Sequence, residues 1–191
     1  MKIYLIDANP KLAREWSEKF SDIADVFPAW GKYFSYEAEA MVSPANCLGY
    51  MDGGIDKEIV KNIPGIQQKV FDCVRGDKWN GEIPVGCADI VETGHAKWKN
   101  LIIAPTMRIP ESVNGTVNAY FAFRAALLIA RQNKINSMVC CGLASGIGGI
   151  KEELVALQMK EAYLNVFQNK KFFDQPLKIL ALHRKMAGTE S

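Results

Sequence analysis

Two glycine-containing turns hold the residues best suited to chemistry. The first runs Val42-Ser43-Pro44-Ala45-Asn46-Cys47-Leu48-Gly49-Tyr50-Met51-Asp52-Gly53-Gly54-Ile55-Asp56, and the second Cys141-Gly142-Leu143-Ala144-Ser145-Gly146-Ile147-Gly148-Gly149-Ile150. Each lies between a strand-forming run and a helix-forming segment. Glycine-rich backbone at a helix amino terminus presents free N–H groups and the positive end of the dipole, so a phosphate or diphosphate fits there without any lysine. The same glycines also serve tight strand-to-helix corners, and one turn alone is read equally well either way. Two such turns tip the reading toward phosphate, because ligands of open α/β sheets bind beyond the carboxyl ends of the strands.

Other chemistries find little to work with. No G-x-x-x-x-G-K-[ST] occurs, and the first strand is followed by Asp7-Ala8-Asn9-Pro10 rather than G-x-G-x-x-G, so kinase-type phosphoryl transfer and Rossmann-type hydride transfer are poorly supported. The two histidines, His95 and His183, are too few for an imidazole-rich metal site, and the five cysteines are odd in number with no C-x-x-C. Neither a metal nor a cofactor is expected. Cys47 neighbours Asn46, but nothing nearby in sequence supplies a base, and it reads as a small buried thiol. Cys140 and Cys141 fall on opposite faces of a strand and read as packing.

Charge narrows the ligand class. Lys and Arg number 23 against 21 Asp and Glu among 191 residues, which gives no reason for sequence-independent binding to nucleic acid or lipid headgroups. The amino terminus has too short an apolar run for a signal peptide. Ala119 to Ala130 is apolar but broken by Arg124, and falls short of the roughly 20 residues that span a bilayer. With reduced thiols and no membrane segment, a cytoplasmic setting is expected.

The elements that must position the turns follow from alternation of short β-type runs with longer helical segments, the pattern of an α/β fold. Strands are predicted at Lys2–Ile6, Ala24–Phe27, Ala40–Val42, Ala88–Glu92, Leu101–Ala104, Ser137–Cys141 and Lys178–Leu182. Helices are predicted at Pro10–Phe20, with Asn9 as cap and Pro10 first, from Ile55, at Ile66–Val74, Thr116–Asn133 and Lys151–Gln168. Nothing suggests a second domain, and Met186 to Ser191 reads as a frayed tail.

These residues resemble the macro domain, the ADP-ribose-binding fold, and in particular the stand-alone macro-domain proteins of bacteria and their phages. Val42-Ser43-Pro44-Ala45-Asn46 followed by Gly53-Gly54-Ile55-Asp56 is similar to that family's V-N-A-A-N, glycine run and V-D. Pro84 to His95 resembles its G-x-A-x-x-T-x-G strand, Ala104-Pro105-Thr106-Met107-Arg108 stands at its H-T-V-G-P, and the second turn resembles its S-T-G-I-[YF]-G loop.

The resemblance implies a three-layer α/β/α sandwich with a mixed central sheet and an ADP-ribose cleft over the strand ends. It also implies roles. Asn46 would bond the distal ribose, Ser43 stands at the family's first asparagine, the backbone of Gly53, Gly54 and Ile55 would hold one phosphate, and Ser145, Gly146, Ile147, Gly148 and Gly149 would wrap the diphosphate. Asp56, ten positions after Asn46, would assist water at the anomeric carbon. An amide offers a sugar hydroxyl both donor and acceptor, and a carboxylate near a diphosphate can position or deprotonate water. Taken singly, Asp56 is also an ordinary first-turn acid and Asn46 an ordinary turn residue.

The implied function is hydrolysis of a group from the distal ribose of an ADP-ribose derivative, or else binding without turnover. The partner is ADP-ribose or an ADP-ribosylated substrate, nucleic acid entering only as a modified substrate. Two departures stand out. Lys32, in Gly31-Lys32-Tyr33, takes the place of the acid in the family's G-D-I, and Gly148 replaces the aromatic residue that covers the distal ribose, leaving either a more open pocket or one closed by another side chain, with Tyr50 and Met51 as candidates.

Overall fold

The computed structural model describes residues 1–168 and 175–189. Among them, strands β1 (Lys2–Asp7), β2 (Val26–Trp30), β3 (Ala40–Ser43), β4 (Asp89–Glu92), β5 (Asn100–Ile103) and β6 (Ser137–Cys140) form one sheet in the order β2-β1-β6-β3-β5-β4. All pairs are parallel except β4 with β5. The helices are α1 (Pro10–Lys19), α2 (Gly54–Asn62), α3 (Ile66–Arg75), α4 (Asn118–Gln132), α5 (Glu152–Phe167) and α6 (Pro176–Ala187). None is long and apolar enough to cross a membrane.

The strands are apolar on both faces because both faces are covered. Ile3 and Leu5, Ala40 and Val42, Ile102, Met138 and Cys140 point into one core with α1, α4 and α5. Their neighbours Ile6, Met41, Leu101, Ile103, Val139 and Cys141 point into another with α2 and α3. The result is the expected three-layer sandwich with a mixed sheet. Cys140 and Cys141 fall into different cores, as their alternation predicts, and all five cysteines are free thiols. Asn9 caps α1 by accepting from the Lys11 N–H at 3.0 Å, and Pro10 opens the helix.

Three expectations are corrected. Lys178–Leu182 lies inside α6 and is not a strand. Pro176 at the first turn pre-sets φ, the following Leu, Lys, Ala, Arg and Met favour helix, and Gly188 at φ +70° ends it. The chain from Met186 does not fray at once, since Met186 and Ala187 are buried and the fully buried Gln158 donates from Nε2 to the Met186 carbonyl at 2.8 Å. β2 begins two residues later than expected and runs through Pro28 to Trp30. An outermost strand tolerates a proline, whose missing N–H costs no ladder bond on the open side.

The sheet opens at one place. β3 and β6 pair at only two positions, Ala40 with Met138 and Met41 with Val139, and then part. The buried hydroxyl of Tyr33, from a single 3-10 turn (Tyr33–Ser35), sits between them. It accepts from the Val42 N–H at 3.0 Å, and its own proton goes to the carbonyl of Val42 or Val139, at 2.8 and 2.9 Å. A Tyr33→Phe variant leaves the Val42 N–H unpaired in the core and is expected to cost about 1–3 kcal/mol. The shift should appear in the denaturant midpoint with the slope unchanged. A wild-type midpoint would show that the hydroxyl does not hold the parting strands.

Candidate functional site

The parting strands lead into a cleft of about 650 Å³ at the carboxyl end of the sheet. Both glycine turns line it, together with the end of β1, residues 31–35 after β2 and the segment after β5.

The first turn is fixed before any ligand arrives. The β3–β5 ladder continues past β3 through Ala104 N–H to the Ser43 carbonyl and through a bridge between Asn46 and Met107. Asn46 then folds the chain on itself. Its Oδ1 accepts from the N–H groups of Leu48 and Tyr50, at 3.1 and 3.2 Å, and its Nδ2 donates to the Tyr50 carbonyl at 2.9 Å. From α3, the Gln67 amide clamps the far side, donating to the Gly49 carbonyl and accepting from the Met51 N–H. One N–H of Asn46 is left for anything outside the turn.

The second turn is equally constrained. Asp7, at the end of β1, accepts from the Gly142 N–H at 2.9 Å and, through its other oxygen, from Asn9 N–H. At the exit, Glu152 accepts from Lys11 Nζ and Asn9 Nδ2, both at 2.9 Å, tying the start of α5 to the start of α1. The hydrogen bond from Lys11 holds its carboxyl at about 2. Ala144 adopts a left-handed φ of +59°, which a residue with a Cβ rarely takes.

Gly148 is a position without room. A Cβ there would stand 2.6 Å from the Ala144 carbonyl oxygen and 3.0 Å from Val113, while the Gly148 carbonyl accepts from Val113 N–H at 2.8 Å. No aromatic side chain can occupy it, and the segment after β5 closes on it instead, adding Met107 and Pro110 to the cleft wall. Of the two residues suggested as cover, Met51 is buried in the α2–α3 core and cannot serve. Tyr50 is 48% exposed, lines the cleft and is braced edge-on by Phe71.

The backbone donors are free. α2 begins at Gly53 with no side-chain cap, and the N–H groups of Gly54, Ile55 and Asp56 have no acceptor among the described residues. The same is true of Ser145, Gly146, Ile147 and Gly148. All of these residues line the cleft. The exposed Ile147 reaches from one turn to the other, its Cδ1 standing 3.8 Å from where a Cβ on Gly53 would lie. Gly54 takes φ +52°, where a side chain would strain the backbone although nothing stands within 4 Å.

Asp56, in the first turn of α2, lines the same cleft and is 7% exposed. Burial pushes its carboxyl up to about 7; the hydrogen bond from Ser43 opposes that rise and nearby Asp52 adds to it. Ser43 Oγ donates to Asp56 Oδ1 at 2.6 Å, while Oδ2 has no partner among the described residues. A carboxyl poised near neutrality beside a cleft is suited to taking and returning a proton.

The structure thus gathers Asn46, Gly53, Gly54, Ile55, Asp56, Ser145, Gly146, Ile147 and Gly148 around one space. Ser43 and Gly149 do not line it: Ser43 is buried with its hydroxyl committed to Asp56, and Gly149 is exposed. Cys47 is buried, and burial pushes its thiol up, away from nucleophilic use. Two contributors were not found from sequence, Asp7 and Gln67, and the segment from Thr106 to Pro110 was marked only as standing at the family's H-T-V-G-P, with no part in the cleft wall. Asp7 had a usable signal, an acid at the end of a strand in an open sheet. Gln67 had none, being one amide on the surface of a predicted helix.

The chain matches the Macro domain family over residues 42–159. It is 30% identical over 139 residues to an uncharacterized protein of Aquifex aeolicus, covering 72% of this chain and 79% of that one. Among solved structures it is similar to the macrodomain of Mycobacterium tuberculosis DarG, with TM-score 0.62, 23% identity, and 71% and 88% of the two chains covered. It is also similar to Thermosipho africanus DarTG in complex with ADP-ribose, with TM-score 0.62 and 13% identity, over 97% of this chain and 57% of that one. These structural likenesses speak to the fold.

The buried carboxyl has a thermodynamic signature. In the unfolded chain it titrates near 4, in the folded chain at about 7. Between those values the folded state holds the proton more tightly, so the contribution of Asp56 to stability falls as pH rises from about 4 to 7. Asp56→Asn, neutral and similar in shape, removes that slope. It is expected to melt several degrees above wild type at pH 8 and close to it at pH 4. The same small difference at both pH values would show that Asp56 is not held in its neutral form.

Proposed function

Since the chain belongs to the macro domain family, we propose that it binds ADP-ribose or a derivative and hydrolyses a group from the distal ribose. The observation that carries this reading is the set of backbone N–H groups, unpaired among the described residues, on two turns lining one cleft that Asp56 also lines. Backbone N–H groups at a helix start and in a glycine turn suit a diphosphate. In this reading Gly53 to Ile55 hold one phosphate and Ser145 to Gly148 wrap the other, with Gly149 shaping the loop. Asn46 gives its remaining N–H to a ribose hydroxyl. Asp56 Oδ2 takes a proton from the water that attacks the anomeric carbon, while Ser43 fixes the carboxyl through Oδ1. The protein would work in a reducing, cytoplasmic setting.

A second reading has an observation of its own. Asn46 spends both acceptor positions and one donor inside its own turn, which suits a module that holds the ligand without turning it over. Single-turnover assays on mono-ADP-ribosylated protein and on ADP-ribose-1''-phosphate separate the two. Hydrolysis is expected in wild type, with a loss of about 100-fold or more in Asp56→Ala. Calorimetric binding of ADP-ribose without product supports the module. Gly54→Glu, which sets a carboxylate among the proposed phosphate donors, is expected to abolish binding, and unaltered affinity would move the ligand out of this cleft.

A further inference from the structure

The cleft that would take an anion is itself acidic. Asp7, Asp52, Asp56 and Glu58 line it, against Lys32 as its one basic side chain among the described residues. Two of these acids are accounted for: Asp7 by the backbone N–H groups of Asn9 and Gly142, and Glu58 by Lys61 at 2.5 Å. Asp52 is exposed and has neither an ion pair nor a side-chain hydrogen bond among the described residues. Asp56 is more than nine-tenths buried and keeps Oδ2 unpartnered. Both belong to the end of the cleft formed by the first turn, where Tyr50 adds an exposed aromatic ring. Carboxylates beside an aromatic ring make an environment for a cation.

We propose that the group carried by the distal ribose of this protein's substrate is a guanidinium, as in an N-glycoside of arginine, paired with Asp52 and covered by the ring of Tyr50. This rests on the ADP-ribose reading above, which sets the distal ribose at the Asn46–Asp56 end. A 1''-phosphate would bring a dianion against Asp52, and an acyl ester offers no charge to pair with it. In the hydrolysis, water adds to the anomeric carbon as the C–N bond breaks, and the bonding electrons leave with nitrogen as a neutral guanidine. The proton from water passes to Asp56 and on to that guanidine, which departs as guanidinium, returning Asp56 to its starting state.

The test uses the whole protein with ADP-ribosyl-agmatine, an ADP-ribosylated glutamate peptide and ADP-ribose-1''-phosphate, alongside calorimetry with ADP-ribose. The expected result is a preference of about tenfold or more in kcat/KM for the agmatine conjugate, or in affinity if no conjugate is cleaved. Asp52→Asn is expected to cut that preference to about threefold or less while tightening ADP-ribose, since it removes a like charge. Binding of ADP-ribose with equal or better use of the ester or phosphate overturns the guanidinium assignment alone, as does a preference that survives Asp52→Asn. Absence of ADP-ribose binding overturns the underlying reading as well.

Discussion

The site depends on the parting of β3 and β6. Two neighbouring parallel strands that stop pairing leave N–H and C=O groups facing each other across a gap, and buried groups of that kind must be satisfied. One hydroxyl, from Tyr33, does this by serving Val42 and Val139 at once. Burial pushes that phenol well above its ordinary value, so it stays a neutral group able both to donate and to accept. Beyond it the β3 and β6 chains are free to diverge into separate turns, and the space between those turns is the cleft.

Each turn is then stiffened from within by short-range polar contacts. Asn46 and Gln67 fix the first; Asp7 and Glu152 anchor the second at its entrance and exit. These residues spend their hydrogen bonds on the backbone carrying the unpaired N–H groups. A donor set held in place in advance loses little freedom when a ligand arrives. Gly148 belongs to the same logic. Its backbone packs so closely on Ala144 that the wall beside it has to come from the segment after β5.

Much of this was legible in the residues. Alternating apolar runs marked every strand of the sheet, the Asn9-Pro10 pair marked the start of α1, and the two glycine turns marked the cleft. What was missed has physical reasons. Lys178 to Leu182 is apolar enough for a strand taken alone; the helix signals flank it, Pro176 ahead and Gly188 behind, and its end is held where Leu182 and Met186 pack near Leu157, distant in sequence. The position of β2 turned on Pro28, which sequence rules move out of strands unless the strand is an edge. Asp7 and Gln67 act through contacts 135 and 18 residues away, and no local pattern encodes such a partner. The spacing of Asn46 and Asp56 was visible, but that Asn46 consumes its amide in its own turn was not.

The donors of the cleft are dipoles fixed in a backbone, while its side-chain charges are mostly negative. Most anion sites draw their ligand with lysine and arginine, and dissolved salt weakens them by screening that attraction. Here screening acts on a repulsion. An anion seated on these turns would hold its affinity, or gain, as ionic strength rises, and would discriminate against simple polyanions that approach through long-range charge alone.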